Sequence, residues 1–401
     1  MSGERTIVYD AVVVGGGPAG ATAAQALAAA GRTVVLLDRA GRIKPCGGAV
    51  PPRLLADFEV PDDMLVAKVR SARMVAPSRR AVDMPIDGGG YVGMVDRDQF
   101  DEWLRVRAGA AGAERRTGTF VGIERDAGGD AVVLYRGERG SAPERLRTRL
   151  VIGADGARSA VAREAIPGGD RVRCVFAYHE VVEAPDTDTA DYAARRADVV
   201  YDGDLSPDFY AWVFPHGGQA SIGVGSADKG FALRDAVARL RQRTGLDACR
   251  TIRHEGAPIP LKPLARWDNG RDVLVVGDAA GVVAPASGEG IFYAMTCGRM
   301  GADAALAFLA TGRARALRQA RRRFMRAHGR VFWVLGMMQY FWYSSDKRRE
   351  RFVSICADKD VQELTWQAYM NKRLARRKPV AHLRIFLKDL AHLFGLRPAA
   401  Q

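Results

Sequence analysis

Gly15, Gly17 and Gly20 stand in the order G-x-G-x-x-G, with Pro18 and Ala19 between the second and third glycines. The apolar run Tyr9 to Val14 precedes them, and an alanine-rich run to Ala30 follows, stopped by Gly31. Glycines at this spacing let a backbone turn tightly and approach a pyrophosphate, which then rests on the N–H groups that open a helix. A second strand, Thr33 to Leu37, ends at Asp38, whose carboxylate can accept hydrogen bonds from ribose hydroxyls. The glycines alone also occur as a plain structural turn. Strand, turn, helix, strand and acid in succession are what point to a dinucleotide.

Two later clusters carry the same kind of chemistry. Gly277-Asp278-Ala279-Ala280-Gly281 closes the apolar strand Val273 to Val276, too far along the chain to belong to the first βαβ unit. Two distant segments are therefore expected to converge on one cofactor. Gly153-Ala154-Asp155-Gly156-Ala157-Arg158-Ser159 ends another buried strand, Leu150 to Ile152. Between them, Tyr210, Trp212 and Phe214 alternate, so one face of a strand would carry all three rings, either as core or as the wall of an apolar channel. Cys46 sits in a glycine-rich loop, Cys46-Gly47-Gly48-Ala49, either as a small buried thiol or as a group that meets substrate.

The elements that must position these residues follow from periodicity. Asp98 to Ala111 has helical spacing, with Phe100, Trp103, Leu104 and Val106 apolar. Alternating runs from Arg173 to Val224 predict an antiparallel sheet. A helix near Leu233 to Thr244, a proline-rich loop from Pro258 to Pro263, the strand at Val273 and a long helix from about Gly290 to Ala310 come next. Helical periodicity and basic residues dominate from Ala314 to Gln401.

With 401 residues, one or two closely packed domains plus an appendage are expected. The formal net charge is +14, much of it in Arg313 to Arg330 and Lys372 to Lys378. That excess suits anionic lipid or phosphate-bearing small molecules, or is a solvated arginine-rich face. No nucleic-acid module is recognisable, and nucleic acid is not expected as a partner. The five cysteines form no C-x-x-C pair, so neither a disulfide framework nor a metal site is expected, and a reducing cytoplasmic compartment follows. The N-terminus runs through Glu4 and Arg5 into the first strand without an apolar leader. The apolar block Val331 to Tyr343 is shorter than the roughly 20 residues a spanning helix needs. Its Trp333, Tyr340, Trp342 and Tyr343, flanked by Arg330 and by Lys347 to Arg349, form either a core helix or an interfacial contact with a membrane surface.

The three glycine motifs, in this order, resemble the FAD-dependent family of the para-hydroxybenzoate hydroxylase type. Within it, Cys46-Gly47-Gly48-Ala49, Tyr210-Ala211-Trp212-Val213-Phe214-Pro215, Gly223-Val224-Gly225 and Ser287-Gly288-Glu289-Gly290-Ile291 resemble geranylgeranyl reductases. The stretch from Asp38 to Ala49 and the run Gly93-Met94-Val95-Asp96-Arg97 are similar to the branch acting on bacteriochlorophyll and chlorophyll, and the likeness extends from Tyr9 to about Val380. One departure is Asp38, where glutamate is commoner in the wider superfamily.

The resemblance implies an α/β protein: a glutathione-reductase-type FAD-binding Rossmann domain, an interleaved antiparallel substrate sheet and a helical C-terminal region. Its expected divisions are residues 1–172 for the first part of the FAD domain, with an excursion into the substrate layer at about 66–90, then 173–264 for the substrate sheet, 265–312 for the second FAD segment and 313–401 for the basic helical end. Around the cofactor it places Gly15, Gly17, Pro18, Ala19, Gly20, Asp38 and Arg39 from the first segment. Gly47, Gly48, Arg97, Asp155 and Gly156 follow from the middle of the chain. Gly277, Asp278, Ala279, Gly281, Pro285, Gly288, Gly290 and Ile291 come from the last, with Asp278 on the flavin ribityl or ribose and the loop from Pro285 to Gly290 beside the ring. Cys46 is the catalytic candidate, and Tyr210, Trp212, Phe214, Pro215 and Glu289 the substrate-binding ones.

The implied activity is saturation of three C=C bonds in the geranylgeranyl chain of bacteriochlorophyll, or of geranylgeranyl diphosphate, to give phytyl. With one fingerprint opening the chain, the reductant is expected to be a transiently bound NADPH, for whose phosphates Arg42 and Lys44 are candidate cations, or a protein such as ferredoxin. The implied setting is the cytoplasmic side of a photosynthetic membrane, with other pigment-synthesis enzymes as partners. Two other readings share the cofactor motifs: an FAD monooxygenase acting on an aromatic or polyketide substrate, and a non-catalytic flavin-bearing pigment carrier.

Overall fold

The computed structural model of the chain describes residues 7–39, 41, 43–137 and 140–372. Arg42 and the basic residues Arg373, Arg376, Arg377 and Lys378 lie outside the described residues. The chain divides into two compact units, Met1–Lys44 with Arg97–Cys174 and Pro258–Trp333, and Pro45–Asp96 with Val175–Ala257 and Val334–Gln401.

The first unit is built on a five-stranded parallel sheet in the order Val273–Val275, Val151–Gly153, Ala11–Val14, Val34–Asp38, Glu114–Thr117. Its three central strands are almost wholly apolar, mostly Val with Leu and Ile, because helices cover both faces. The helix Pro18–Ala29 packs against Ile291–Thr311 and Arg97–Ala110. Small residues allow that approach: a Cβ on Gly298 would lie 2.3 Å from the Ala19 carbonyl oxygen. A four-stranded sheet, Val8–Tyr9, Glu144–Thr148, Ala131–Arg136 and Thr119–Arg125, completes the unit with the first part of the helix Arg318–Trp342. The run expected as one strand from Tyr9 to Val14 breaks at Asp10 and so serves both sheets: Val8–Tyr9 pairs with Arg147 and Thr148, while Ala11–Val14 pairs with Val34–Leu37.

In the second unit a seven-stranded sheet runs Thr251–Pro260, Cys174–Glu183, Gln219–Ser226, Ala211–His216, Arg196–Val200, Ser71–Val75, Ala81–Pro85. One face buries Val182, Ala211, Val213, Ile222 and Val224 with Val237 and Leu240 of the helix Leu233–Arg243. The alternation that builds this core leaves the opposite face to the aromatic residues. One expectation is corrected here. Pro258 and Pro260 belong to the strand Thr251–Pro260 rather than a loop, which proline permits because the strand is at the sheet edge. From Cys174 to Ser226 the strands pair antiparallel as expected, and Arg196–Val200 also pairs in parallel with Ser71–Val75, from the excursion expected at about 66–90. A small three-stranded sheet, Ala49–Val50, Val92–Met94 and Ala67–Val69, and the helices Asp346–Ile355 and Lys359–Asn371 belong to this unit too.

Candidate functional site

In the first unit, strand register brings the three glycine motifs together. Val14, Gly153 and Val275 lie side by side, and each strand ends directly in its own motif. Gly15 has φ +106°, and a Cβ there would sit 2.4 Å from the Ala154 carbonyl oxygen. At Gly20 a Cβ would be 1.8 Å from the Gly15 carbonyl oxygen. No other residue fits either place. The helix that begins at Pro18 has Gly17 as an extended N-cap without a side-chain hydrogen bond. Around Gly17 the nearest atom to an added Cβ is Asp101 Oδ2 at 4.0 Å, so the space over the helix start is open to an anion. The carboxylate of Asp101 would repel that anion. Arg97 neutralises it in a buried pair, Nε to Oδ1 at 2.8 Å and Nη2 to Oδ2 at 2.7 Å.

Asp38 ends its strand partly exposed, with Arg105 Nη1 3.3 Å from its Oδ2, and the exposed Arg39 follows. The carboxylate of Asp155 is committed locally: it accepts from Ser159 Oγ at 2.5 Å and Ala160 N at 2.6 Å, and thereby fixes the turn before the helix Ala160–Ala165. Burial pushes its pKa up against those bonds. Gly156, with φ +86°, faces open space.

Asp278 is buried in the short 3-10 turn Gly277–Ala280, between left-handed Gly277 and Gly281. Lys44 makes an ion pair with it. The sulfur of Cys297, on the helix Ile291–Thr311, accepts the Gly277 N–H at 3.4 Å. Burial pushes that thiol up to about 12, so it stays a neutral structural anchor. After Ala279 and Gly281 the chain makes a tight loop, in which Ala284 N donates to Glu289 O at 2.9 Å and Gly288 N to Ala284 O at 3.0 Å. Pro285 and Glu289 are buried there, Ala286 is held at φ +62°, and Gly290 and Ile291 open the next helix. An open, uncapped helix start, a glycine-only turn and a buried carboxylate at adjacent strand ends fit the phosphate and sugar portions of FAD.

In the second unit Tyr210, Trp212 and Phe214 do lie in a row, with ring centroids 6.0 and 6.2 Å apart. Tyr210 falls just ahead of the strand Ala211–His216 and stacks on Phe209 at 4.2 Å. Trp212 pairs across the sheet with Gly223, where a Cβ would lie 2.2 Å from the indole Cζ2. The indole lies flat on the sheet because that position has no side chain. Its Nε1 donates to Ser221 Oγ at 3.2 Å. His179 joins the same hydroxyl through Nδ1 at 2.9 Å, while its Nε2 donates to Glu255 at 3.2 Å. Pro215, expected on the substrate face, is buried on the other one: it pairs with Ala220, a member of the core under the helix Leu233–Arg243.

The loop Cys46-Gly47-Gly48 lies against this face: a Cβ on Gly47 would meet Phe214 Cδ2 at 2.9 Å and Trp212 Nε1 at 4.0 Å. Cys46 itself is half-buried. Trp366, Tyr369 and Met370 of the helix Lys359–Asn371 pack on the cluster that includes Phe214. Sequence reasoning missed His179, His216 and these helix residues. Histidines inside strands otherwise apolar were the available signal, but their partners come from other strands.

The aromatic block divides. Phe332 and Tyr343 are buried, whereas Trp333, Met337 and Tyr340 are 65%, 51% and 85% exposed on the helix Arg318–Trp342. Trp342 is half-buried. Among the described residues, no helix is long and apolar enough to cross a membrane, and no cluster of metal-ligating side chains occurs.

The model of the FAD binding domain family matches residues 8–317. A relative from Rhodobacter capsulatus named Geranylgeranyl diphosphate reductase is 58% identical over 97% of this chain and 98% of its own. The chloroplastic Geranylgeranyl diphosphate reductase of Oryza sativa subsp. japonica is 37% identical over 98% of this chain and 87% of its own. Among solved structures, a geranylgeranyl bacteriochlorophyll reductase-like protein from Thermoplasma acidophilum superposes with a TM-score of 0.79 at 22% identity, over 93% of this chain and 99% of that one.

Proposed function

This chain belongs to the geranylgeranyl diphosphate reductase family, whose members carry an FAD-binding domain, and on that premise we propose that it reduces the three C=C bonds of a geranylgeranyl chain, carried on bacteriochlorophyll or as the free diphosphate, to give phytyl. The observation that carries this reading is the 58% identity over nearly the whole chain to the Rhodobacter capsulatus reductase. The aromatic row and its apolar surroundings support it.

In this reading the first unit holds FAD through Gly15, Gly17, Pro18, Ala19 and Gly20 at the pyrophosphate, Asp38 at the ribose and Asp278 on the sugar chain. Lys44 would give up its pair with Asp278 for the sugar hydroxyls to reach that carboxylate. Arg97 serves the phosphate site indirectly, by cancelling the charge of Asp101. Asp155 shapes the turn that follows its strand. Reduced FAD supplies hydride equivalents, which NADPH or a reduced protein such as ferredoxin restores.

An isolated trisubstituted alkene has no carbonyl to accept negative charge, so hydride delivery to the tertiary carbon must be accompanied by protonation of the neighbouring CH carbon. Positive character at the tertiary carbon is softened by aromatic faces, the role assigned to Trp212 and Phe214. Cys46 holds the proton or the water that carries it. Peripheral attachment to a membrane through the exposed Trp333, Met337 and Tyr340 would give access to a substrate dissolved in lipid.

The test is turnover of geranylgeranyl diphosphate and of geranylgeranyl bacteriochlorophyll by the purified holoprotein with NADPH under strict exclusion of dioxygen, read by mass spectrometry. Successive gains of two hydrogens support the reading. A requirement for dioxygen would instead indicate a monooxygenase, and binding of pigment without turnover a carrier.

A further inference from the structure

One peptide group joins Cys46 to a buried histidine. The Gly48 N–H donates to the Cys46 sulfur at 3.4 Å. The carbonyl at the other end of that same peptide, Gly47 O, accepts from His216 Nε2 at 3.1 Å. The second ring nitrogen, Nδ1, lies 3.1 Å from Asp96 Oδ1. Asp96, His216, the Gly47–Gly48 peptide and the Cys46 sulfur thus form one line of hydrogen bonds, all within the second unit.

The line is sterically fixed. Gly48 has φ +73°, and a Cβ there would strike Val95 O at 2.5 Å and His216 Cε1 at 2.6 Å. Its carbonyl accepts from Val95 N at 2.9 Å, beside Asp96 in the chain. His216 is buried, so water does not stand in for a lost partner. A peptide carbonyl can only accept, so the ring presents an N–H at Nε2 to Gly47 O, while Asp96 fixes its orientation from the other nitrogen. The bond to His216 holds the Asp96 carboxyl below the usual carboxylate range, and the field of Arg253 acts in the same direction.

Donation to a peptide carbonyl polarises the peptide and makes its N–H a stronger donor. A stronger N–H favours negative charge on the atom that accepts it. We propose that His216, oriented by Asp96, is a positioning residue that acts through the Gly47–Gly48 peptide to aim the Cys46 sulfur and raise its reactivity. This rests on the reading that Cys46 serves the reduction.

The experiment is alkylation of the FAD-loaded full chain by iodoacetamide across pH, with each cysteine followed by peptide mass spectrometry. In His216→Phe, Cys46 alkylation at neutral pH is expected to slow by about 3–10-fold, with its midpoint moved to higher pH. His216→Gln, which keeps one donor for Gly47, should restore part of the rate, and Asp96→Asn should fall between. Cys174, which takes no part in this line of hydrogen bonds, is the internal control and should be unchanged. An unshifted Cys46 profile in His216→Phe and Asp96→Asn, with FAD retained, overturns the proposal. Should His216→Phe lose FAD or fail to fold, His216→Gln and Asp96→Asn decide alone: wild-type profiles in both overturn it. Cys46→Ala tests the underlying reading separately. Full reductase turnover in Cys46→Ala alongside a shifted alkylation profile in the His216 variants would remove Cys46 from the reduction while leaving the coupling in place.

Discussion

Asp278 shows how much one buried carboxylate can carry. It is buried between two left-handed glycines and finds a cation, Lys44, as partner. Replacing it with alanine removes the acceptor proposed for the cofactor sugar chain, and hydrogen bonds to charged groups contribute about 1.5–3 kcal/mol. Asp278→Ala should therefore weaken FAD binding by roughly 10–100-fold in a flavin-fluorescence titration; unchanged affinity would take Asp278 out of the cofactor site.

Asp96 offers a test by pH. Its folded pKa is lowered, first by the hydrogen bond to His216. A depressed carboxylate contributes stability above its unfolded pKa and loses it as pH falls from the ordinary value of 3.8 through the lowered folded one. Denaturant midpoints should thus fall with acidification in that window, and less steeply in Asp96→Asn than in the wild type.

Among the elements, the strand Ala211–His216 is where the fold and the proposed substrate meet. Its inward residues, Ala211 and Val213, belong to the core under the helix Leu233–Arg243, while Trp212 and Phe214 face the other way. The two faces can be separated experimentally. Trp212→Ala removes a large ring from an apolar surface and should lower prenyl affinity by about 2–3 kcal/mol with little change in FAD occupancy. Gly223→Ala should have a related effect by a different route. The new Cβ would meet the indole 2.2 Å away, so the ring must tilt, weakening its bond to Ser221. Melting temperature and prenyl affinity together would show this, and wild-type values for both would mean that the indole is free to move.

At the scale of the molecule, the net charge of +14 and the exposed aromatic residues of the helix Arg318–Trp342 set the expected relation to a membrane. Arg322, Arg326 and Arg330 precede Trp333, Met337 and Tyr340 at spacings that place all six on one helix stripe, and all six are exposed. Aromatic burial and basic attraction, about 1 kcal/mol for each cation near an anionic surface, act together on such a stripe. Flotation with anionic liposomes should weaken as salt is raised, and Trp333→Ser with Tyr340→Ser should nearly abolish it. Trp342 is left in place because it is half-buried. Flotation of the double variant equal to the wild type would move any membrane contact elsewhere.

The sequence by itself determined the parallel FAD-binding sheet and the order of its motifs, because those signals are local. A run of Val and Leu ending in glycines, then an alanine-rich helix, specifies strand, turn and helix within about thirty residues. The alternation of Tyr210, Trp212 and Phe214 was local in the same way and placed three rings on one side. Tertiary structure decided what depends on residues brought from far apart. That Asp155 accepts from its own turn, that Arg97 pairs with Asp101, and that Tyr340 is exposed while Tyr343 is buried are matters of neighbours, which periodicity cannot assign. The bridge from Asp96 through His216 to the Cys46 loop is the clearest case. Its members come from three separate strands and loops, each bond follows from the register in which those segments pack, and no spacing in the sequence records that register.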